Sequence, residues 1–192
     1  AFAAVKSDKS VECWGDSSWG GSCSGITDVE MVYSNAHAFA AVHTDKTVSC
    51  WGDSSLGGSC SGISDVVIVY STWKAFAALK TNNALVCWGK STNEGGSCSG
   101  ITNVQSVSST SEAFAAVHTD KSVSCWGHSS YGGSCSGIVN VQTVYSNGFA
   151  FAAVKSDKSV ECWGDSGDGG SCSGITDVVT VYSTDRAFAA VK

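Results

Sequence analysis

Residues 38–74 read AFAAVHTDKTVSCWGDSSLGGSCSGISDVVIVYSTWK, and the rest of the chain is built from variants of this stretch. Its opening Ala-Phe-Ala-Ala recurs every 37 or 38 residues, beginning at Ala1, Ala38, Ala75, Ala113, Ala150 and Ala187. A fixed period of this length is typical of a repeat protein, in which each unit buries its core against its neighbours. The 192 residues are therefore interpreted as one array, with repeats at 1–37, 38–74, 75–112, 113–149 and 150–186 and the start of a sixth at 187–192.

Within one repeat, β-branched and aromatic residues are interrupted by Gly and Ser clusters, and no useful 3.6-residue period is present. Phe39 to His43 is a predicted strand, residues 44–47 are a tight turn built on an aspartate, and Val48 to Gly52 is the returning strand of a β-hairpin. Asp65 to Ser71 is a third predicted strand, which leads into the next repeat. The pattern also allows a short fourth strand at residues 60–63. The predicted fold class is all-β.

Composition and charge exclude several classes of protein. The chain has 11 Lys and Arg but 17 Asp and Glu, which gives a net charge of -6. Because it has no positive field to attract phosphate backbones, no nucleic-acid partner is expected. No apolar run approaches the ~18 residues of a membrane helix, so no membrane insertion is expected. The charged fraction of 15% lies well below the usual quarter, which argues against a cytosolic enzyme.

The cysteines are the sharpest chemical signal. They occur two per repeat, as Cys13 and Cys23, Cys50 and Cys60, Cys87 and Cys98, Cys125 and Cys135, and Cys162 and Cys172. A regular array indicates a disulfide framework made in an oxidising compartment, and hence a protein of the secretory pathway that is extracellular or at the cell surface. We favour five bonds within repeats, because pairing between repeats would leave Cys13 and Cys172 alone. Each bond closes a loop of about 11 residues, which the chain-entropy model values at roughly 3 kcal/mol.

No catalytic, cofactor or metal site is predicted. The two cysteines of a repeat lie ten or eleven residues apart with no histidine in register, unlike the close pairs of zinc sites. Asp16, Asp53 and Asp165 share one repeat phase, but Lys90 and His128 occupy it in the other copies, so a repeated calcium loop is not expected. The Gly-rich run lacks the features of a phosphate loop, and no Ser/His/Asp set recurs. The sequence therefore predicts a protein that is not an enzyme.

The repeats differ mainly in two places, between Trp-Gly and Gly-Gly and just before each Ala-Phe. The candidate binding residues at these places are the large aromatic side chains Trp19, Trp73, Tyr131 and Phe149. Variation at loop tips more often reflects solvent exposure and drift than a binding surface. A ligand that repeats with the array would require an aromatic residue at one phase. The residues assigned to that phase are instead Trp19, Leu56, Asn93, Tyr131 and Asp168.

The same short motifs follow one another in the same order in every repeat. Val66-x-x-Val69 precedes Ala75 to Leu79, and elsewhere Thr119-Asp120-Lys121 precedes Val123 to Gly127, which ends in Trp-Gly before a Gly-rich loop. This order resembles the repeat of the regulator of chromosome condensation (RCC1) family, and the resemblance implies blade-like hairpins of a propeller-type fold. The chain departs from the family in its shorter units, in a lysine in place of the turn glycine and in its regular cysteine pair. Some members of that family are nucleotide-exchange factors, but nothing here matches an exchange-factor insertion, so that activity is not expected.

Two arrangements of the units remain open. Five Trp-Gly strands accompany six Ala-Phe-Ala-Ala strands, so a closed five-bladed ring would leave one strand over. We therefore favour an open superhelical stack of hairpin units, with a closed five-bladed β-propeller as the alternative.

Two functions also remain open. Near-identical repeats that make near-identical contacts favour a structural extracellular protein, a disulfide-stapled segment of a filament, sheath or other surface assembly. Its partners would be neighbouring copies or further repeats. The alternative is a propeller-type binding module that contacts a glycan or a protein through its variable loop tips.

Overall fold

The computed structural model describes the backbone of residues 1–192 and every side chain except that of Thr92. The strands are β1 (Phe2–Val5), β2 (Val11–Trp14), β3 (Val29–Ser34), β4 (Ala38–His43), β5 (Val48–Gly52), β6 (Val66–Ser71), β7 (Ala75–Lys80), β8 (Leu85–Gly89), β9 (Val104–Ser109), β10 (Ala113–His118), β11 (Val123–Gly127), β12 (Val141–Ser146), β13 (Ala150–Lys155), β14 (Val160–Gly164), β15 (Thr180–Ser183) and β16 (Phe188–Val191). The 3-10 helices are Ser17–Trp19, Ser54–Leu56, Thr92–Glu94, Ser129–Tyr131 and Ser166–Asp168. None of the described helices is long and apolar enough to span a membrane.

The strands form six antiparallel sheets, numbered here in chain order. Sheet 1 contains β1 and β2, sheets 2 to 5 contain three consecutive strands each from β3 to β14, and sheet 6 contains β15 and β16. The Ala-Phe-Ala-Ala strand is central in each three-stranded sheet, so each such sheet takes its first strand from one sequence repeat and its other two from the next. The predicted all-β repeat fold is confirmed. No sheet closes on itself in the described part of the chain, which agrees with an open stack and leaves the closed propeller as the alternative.

The chain divides into two compact units, which are described separately. Unit 1 comprises Ala1–Ser91 and Gly95–Gly100 and contains sheets 1 to 3. Unit 2 comprises Thr92–Glu94 and Ile101–Lys192 and contains sheets 4 to 6.

The hairpin turns depend on an aspartate, replaced by Asn82 in sheet 3, and on a residue with positive φ. In sheet 2 the carboxylate of Asp45 accepts hydrogen bonds from the amide of Thr47 at 3.0 Å and from its hydroxyl at 2.6 Å. Lys46 has a φ of 67°, the left-handed conformation that glycine adopts more easily than other residues. The lysine that departs from the RCC1-type turn therefore occupies a position where the backbone favours glycine.

Both faces of sheets 2 and 5 are packed against neighbouring sheets. In sheet 2, pairing places Phe39 opposite Trp51 on one face and Ala40 opposite Cys50 on the other. We call these the Trp face and the disulfide face. The central strand is buried from Ala38 to Val42, which explains its small side chains: alanine lets a neighbouring layer approach closely on either side.

The Trp face of one sheet packs on the disulfide face of the sheet before it. In unit 1, Phe39 and Trp51 of sheet 2 lie in one cluster with Ala3 and Cys13 of sheet 1. The same contact recurs between sheets 2 and 3 in unit 1, and between sheets 4 and 5 and sheets 5 and 6 in unit 2. Each unit is therefore held together by one repeated sheet-to-sheet contact.

Each of these contacts except that between sheets 5 and 6 also includes a hydrogen bond from a buried indole. The bonds, all 3.1 Å long, join Nε1 of Trp51 to the carbonyl of Gly20, Trp88 to Gly57, and Trp163 to Gly132. Glycine is required at the acceptor position for two reasons. Gly57 has a φ of +108°, and a Cβ on it would lie 2.7 Å from the ring of Phe76.

Five disulfides join the Trp-Gly strands to the Gly-rich loops, in the pairs Cys13–Cys23, Cys50–Cys60, Cys87–Cys98, Cys125–Cys135 and Cys162–Cys172. These are the within-repeat pairs that the sequence analysis favoured. The fourth strand allowed at residues 60–63 does not form, because Gly62 adopts a φ of 66° and breaks the extended run. A single backbone hydrogen bond from Val48 to Ile63, 3.1 Å long, holds the loop there instead.

Candidate functional site: the variable rims

The variable segments of the repeats lie on one rim of each unit, formed by the 3-10 helices and by the turns that precede the Ala-Phe strands. The rim of unit 1 consists of residues 16–19, 35–37, 53–56 and 72–74, and the rim of unit 2 of residues 92–94, 110–112, 128–131, 147–149, 165–168 and 184–186. Hydrogen bonds and ring contacts between helices and turns, described next, bring the two sets of variable positions together.

The aspartates that recur after Trp-Gly cap the 3-10 helices. The carboxylate of Asp53 accepts hydrogen bonds from the hydroxyl of Ser55 at 2.7 Å and from its amide at 2.9 Å. These two bonds, the side-chain bond first, lower the pKa of the Asp53 carboxyl below its usual value. Asp16 and Asp165 accept the equivalent amide bonds in their own repeats. Capping therefore accounts for aspartate at this phase without a bound cation.

Asn and Thr side chains tie turns to rim helices. Oδ1 of Asn35 accepts from the amides of His37 and Ala38 at 2.8 and 2.7 Å, and its Nδ2 donates to the carbonyl of Leu56 at 2.7 Å. Asn147 repeats this arrangement in unit 2, where its Nδ2 donates to the carbonyl of Asp168 at 2.7 Å. The sequence analysis missed these residues. The sequence nevertheless carries a pattern that could have identified them: one position of the repeat is always Asn or Thr, residues whose side-chain oxygens bond to nearby amides. The residues at this position are Asn35, Thr72, Thr110, Asn147 and Thr184.

Backbone hydrogen bonds link successive turns along each rim. In unit 1 the amide of Ala36 donates to the carbonyl of Trp73 at 3.3 Å. In unit 2 the amide of Ser111 donates to Gly148, whose own amide donates to Asp185, both at 3.0 Å. The rim is therefore a hydrogen-bonded edge, on which side chains are held at fixed intervals.

Unit 1 presents two exposed indoles on its rim. Trp19 is 46% exposed, and its ring meets the imidazole of His37 edge-on with centroids 5.1 Å apart. Trp73 is 56% exposed. The two candidate binding residues of this unit thus lie on the rim, Trp19 beside a histidine that was not predicted to take part.

Unit 2 gathers an aromatic and charged cluster on its rim. Tyr131 stacks on Phe149 with ring centroids 5.3 Å apart, and His128 meets Tyr131 edge-on at 5.2 Å. The guanidinium of Arg186 lies 4.4 Å from the Phe149 centroid and 3.1 Å from a carboxylate oxygen of Asp168. The structure therefore brings the candidates Tyr131 and Phe149 together and adds a cation–π contact that was not predicted.

The inserted residue of the third repeat shifts one assignment. The 3-10 helix there ends at Glu94 before Gly95, as the helix of the second repeat ends at Leu56 before Gly57. Glu94, and not Asn93, therefore occupies the phase of Trp19. The sequence prediction was one residue out, because the extra residue precedes the helix: its N-cap is Ser91, so Ser91 and not Lys90 holds the phase of Asp53.

The chemistry of the rims is that of flat aromatic faces beside hydrogen-bonding groups, an arrangement that suits contact with sugar rings or with a protein surface. Among the described side chains, no group of three or more His, Cys, Asp or Glu is arranged to hold a metal ion.

Comparison with known proteins shows that the chain has the RCC1-like repeat fold. It is similar to the ectodomain of the receptor kinase CR4 from Physcomitrella patens, with 17% identity and a TM-score of 0.60 over 95% of this chain and 53% of that one. It is also similar to the CRINKLY WD40 ectodomain of the receptor kinase ACR4 from Arabidopsis thaliana, with 18% identity and a TM-score of 0.61 over 84% and 63% of the two chains. Yeast RCC1 (Prp20), solved bound to Kap60, is similar as well, with 16% identity and a TM-score of 0.55 over 82% of this chain and 51% of that one.

The chain spans between half and just under two thirds of the length of these three proteins. No family model matches the sequence, and no curated protein matches it significantly. At identities below a fifth, the similarity extends to the fold.

Proposed function

We propose that residues 1–192 form one disulfide-stapled structural array of an extracellular surface assembly, and that the array self-associates by stacking sheet on sheet. One observation carries the proposal: the Trp face of sheet 1 is exposed, although the same face is buried in sheets 2, 3 and 5. Phe2 is 65% and Trp14 51% exposed, against 8% for both Phe39 and Trp51. Exposed aromatic faces of this kind mark interaction surfaces.

The exposed face already has the geometry of a buried one. The rings of Phe2 and Trp14 stack with centroids 5.6 Å apart and planes at 14°, as Phe39 and Trp51 stack at 5.2 Å and 14°. A pre-organised face loses little side-chain freedom when it is covered. Complete burial of each such side chain contributes about 1.5–3 kcal/mol. The proposed occupant is a like sheet, from a neighbouring repeat or from a second copy of the chain.

Sheet 6 exposes the complementary kind of face. Tyr182 and Ala189 are paired across its two strands and are exposed, on the face equivalent to the disulfide face of the complete sheets. Inside the chain, disulfide faces receive Trp faces. The next unit, whether a further repeat or a second copy, is therefore expected to stack head to tail, a contact that extends into a filament unless the rotation closes a ring.

The disulfides support the extracellular part of the proposal. All cysteines in the described chain are paired, and such bonds persist in oxidising compartments and not in the cytosol. Two of the proteins with a similar fold are receptor-kinase ectodomains. The proposed role is not enzymatic, and it requires passage through the secretory pathway.

Sedimentation across the micromolar range tests self-association of the 192-residue chain. We expect association that rises with concentration in the wild type and is lost on combining Phe2→Ser with Trp14→Ser. Trp73→Ser is the matched control, because it removes an equally exposed indole from the rim and is expected to change nothing. A monomeric wild type, or equal loss in the control, contradicts the proposal. Electron microscopy separates the outcomes further, since monodisperse compact rings would exclude a filament.

A second function, a glycan-binding module, is favoured by the convergence of both variable segments on one rim. Trp19, Trp73, Tyr131 and Phe149 would supply the ring faces on which sugars stack. A glycan array tests this role: Trp19→Ala with Trp73→Ala should remove binding by unit 1, and adding Tyr131→Ala with Phe149→Ala should remove the rest, whereas Phe2→Ser with Trp14→Ser should leave it intact. No signal above background from the wild type on glycans would rule the role out.

A further inference from the structure

A histidine and a serine are hydrogen-bonded across the hairpin of sheet 2. Nε2 of His43 lies 2.8 Å from Oγ of Ser49, and Nδ1 of the same ring lies 2.8 Å from the carbonyl oxygen of Thr27. A carbonyl oxygen can only accept, so Nδ1 carries the proton of the neutral imidazole. Nε2 is then the acceptor, and the Ser49 hydroxyl donates to it. This is the arrangement of a nucleophile, its general base and a third group that orients the base.

The same arrangement occurs a second time, in sheet 4 of unit 2. Nε2 of His118 lies 2.8 Å from Oγ of Ser124, and its Nδ1 lies 2.8 Å from the carbonyl oxygen of Thr102. In the other repeats the same two positions hold a lysine with a glutamate or a valine, as in the ion pair of Lys155 with Glu161. Histidine and serine therefore occur together or not at all. The sequence analysis missed the pair, because the group that orients each histidine is a backbone carbonyl and leaves no signature in the sequence.

Ser49 and His43 line an open, polar cleft of about 420 Å³ in unit 1. Asp45 lines the same cleft, and its negative charge stabilises the imidazolium that forms when His43 takes up a proton. Residues 25–28 form a further part of the wall. Their backbone amides donate to no acceptor in the described chain, and amides of this kind stabilise an oxyanion. The cleft thus has room for a small polar molecule beside the serine hydroxyl.

We propose that Ser49 is a nucleophile activated by His43, and that the cleft beside them is a catalytic site for small polar carboxylic esters. Oγ of Ser49 attacks the carbonyl carbon of the ester while its proton passes to Nε2 of His43. The bond from that carbon to the alcohol oxygen breaks, and Nε2 gives the proton to the departing oxygen. Water then attacks the acyl-serine by the same route, releases the acid and restores the Ser49 hydroxyl. This activity is additional to the proposed structural role, and it requires neither self-association nor glycan binding.

A fluorophosphonate probe tests the nucleophiles, since an activated serine forms an Oγ–P bond with it and fluoride leaves. Peptide mapping of the labelled 192-residue chain by mass spectrometry is expected to find the label on Ser49 and Ser124. Ser55 is the matched control, because it is exposed and its hydroxyl is also hydrogen-bonded, but to the carboxylate of Asp53 and not to an imidazole. It is expected to stay unlabelled. An unlabelled Ser49, or one that reacts no faster than Ser55, overturns the proposal.

The two histidines provide matched variants, each with the other pair as its internal control. Because general-base catalysis contributes about 10²–10⁴-fold, His43→Gln is expected to slow labelling of Ser49 at least about 100-fold while Ser124 reacts as before. His118→Gln is expected to do the reverse. Labelling of Ser49 at the wild-type rate in His43→Gln would show that the histidine only holds the hairpin, and it would overturn the proposal. Hydrolysis of p-nitrophenyl acetate is the second measurement: Ser49→Ala with Ser124→Ala should reduce the rate to that of buffer, and a rate equal to that of the wild type contradicts the esterase activity.

Discussion

The indole of Trp88 is expected to stabilise the array mainly through its hydrogen bond. The side chain is 8% exposed, its Nε1 donates to the carbonyl of Gly57 at 3.1 Å, and its ring stacks on Phe76 at 5.2 Å. Trp88→Phe keeps an aromatic ring but removes the donor. A buried carbonyl left without its partner costs about 1–3 kcal/mol, and the smaller ring adds on the order of 1 kcal/mol of lost burial. We expect a total loss of about 2–4 kcal/mol.

Trp14→Phe is the internal control, because Trp14 holds the same repeat position in sheet 1. Its ring also stacks on a phenylalanine, Phe2, but it is 51% exposed, and its indole makes no hydrogen bond that the structure describes. We expect it to lose less than about 0.5 kcal/mol. Urea unfolding with the disulfides intact, followed by circular dichroism, gives both values. Equal losses in the two variants would refute the assignment of stability to the indole–glycine bond.

Cys50→Ser with Cys60→Ser opens one 11-residue loop and should lower the free energy of unfolding by about 3 kcal/mol, as measured in urea against the wild type. Hydrogen bonds from the turn threonine, side chain first and backbone second, lower the pKa of Asp45 below its usual 3.8. Its charge therefore stabilises the fold above that value, and this stability is lost as the pH falls through the lowered pKa. Asp45→Asn should flatten the acid limb of a stability–pH profile. Gly57→Ala should cost more than about 2 kcal/mol, against about 1 kcal/mol for Gly62→Ala, whose Cβ would meet nothing within 4 Å.

The strands and the disulfides could be predicted because their signals are local. Val48 to Gly52 alternates over five residues and follows an aspartate turn, so its hairpin with the preceding strand needs no distant information. The Cys pair repeats with every copy, which makes closure within a repeat the pairing that leaves no cysteine alone. The fourth strand at residues 60–63 was wrongly allowed, because a β-branched residue near a cysteine carries no sign of the left-handed Gly62 between them.

The two-sided core could not be predicted, because it depends on how neighbouring sheets stack. Alternation assigns Cys50 and Trp51 to opposite faces of a strand, but it does not say which faces are covered. The decisive contact joins Trp51 to the glycine carbonyl of the preceding repeat, 31 residues away. Only the identity of the repeats could have revealed it, since every buried tryptophan has a glycine at the same distance before it.

The variable positions on the rims are less independent than they look in the sequence. In three of the five repeats, residues 18 apart meet in space and complement each other: Trp19 faces His37, Tyr131 stacks on Phe149, and Asp168 pairs with Arg186. The equivalent residues of the other two repeats are Leu56 with Lys74 and Glu94 with Glu112. An aromatic pair in one repeat is thus replaced by an ion pair in another while the backbone edge that carries them stays the same. At the three complementary pairs, independent drift would not produce such matches, because each side chain would vary without regard to a partner. The pairs are better explained as contacts that hold each rim helix to its turn, with the outer faces of the aromatic pairs left available to a ligand.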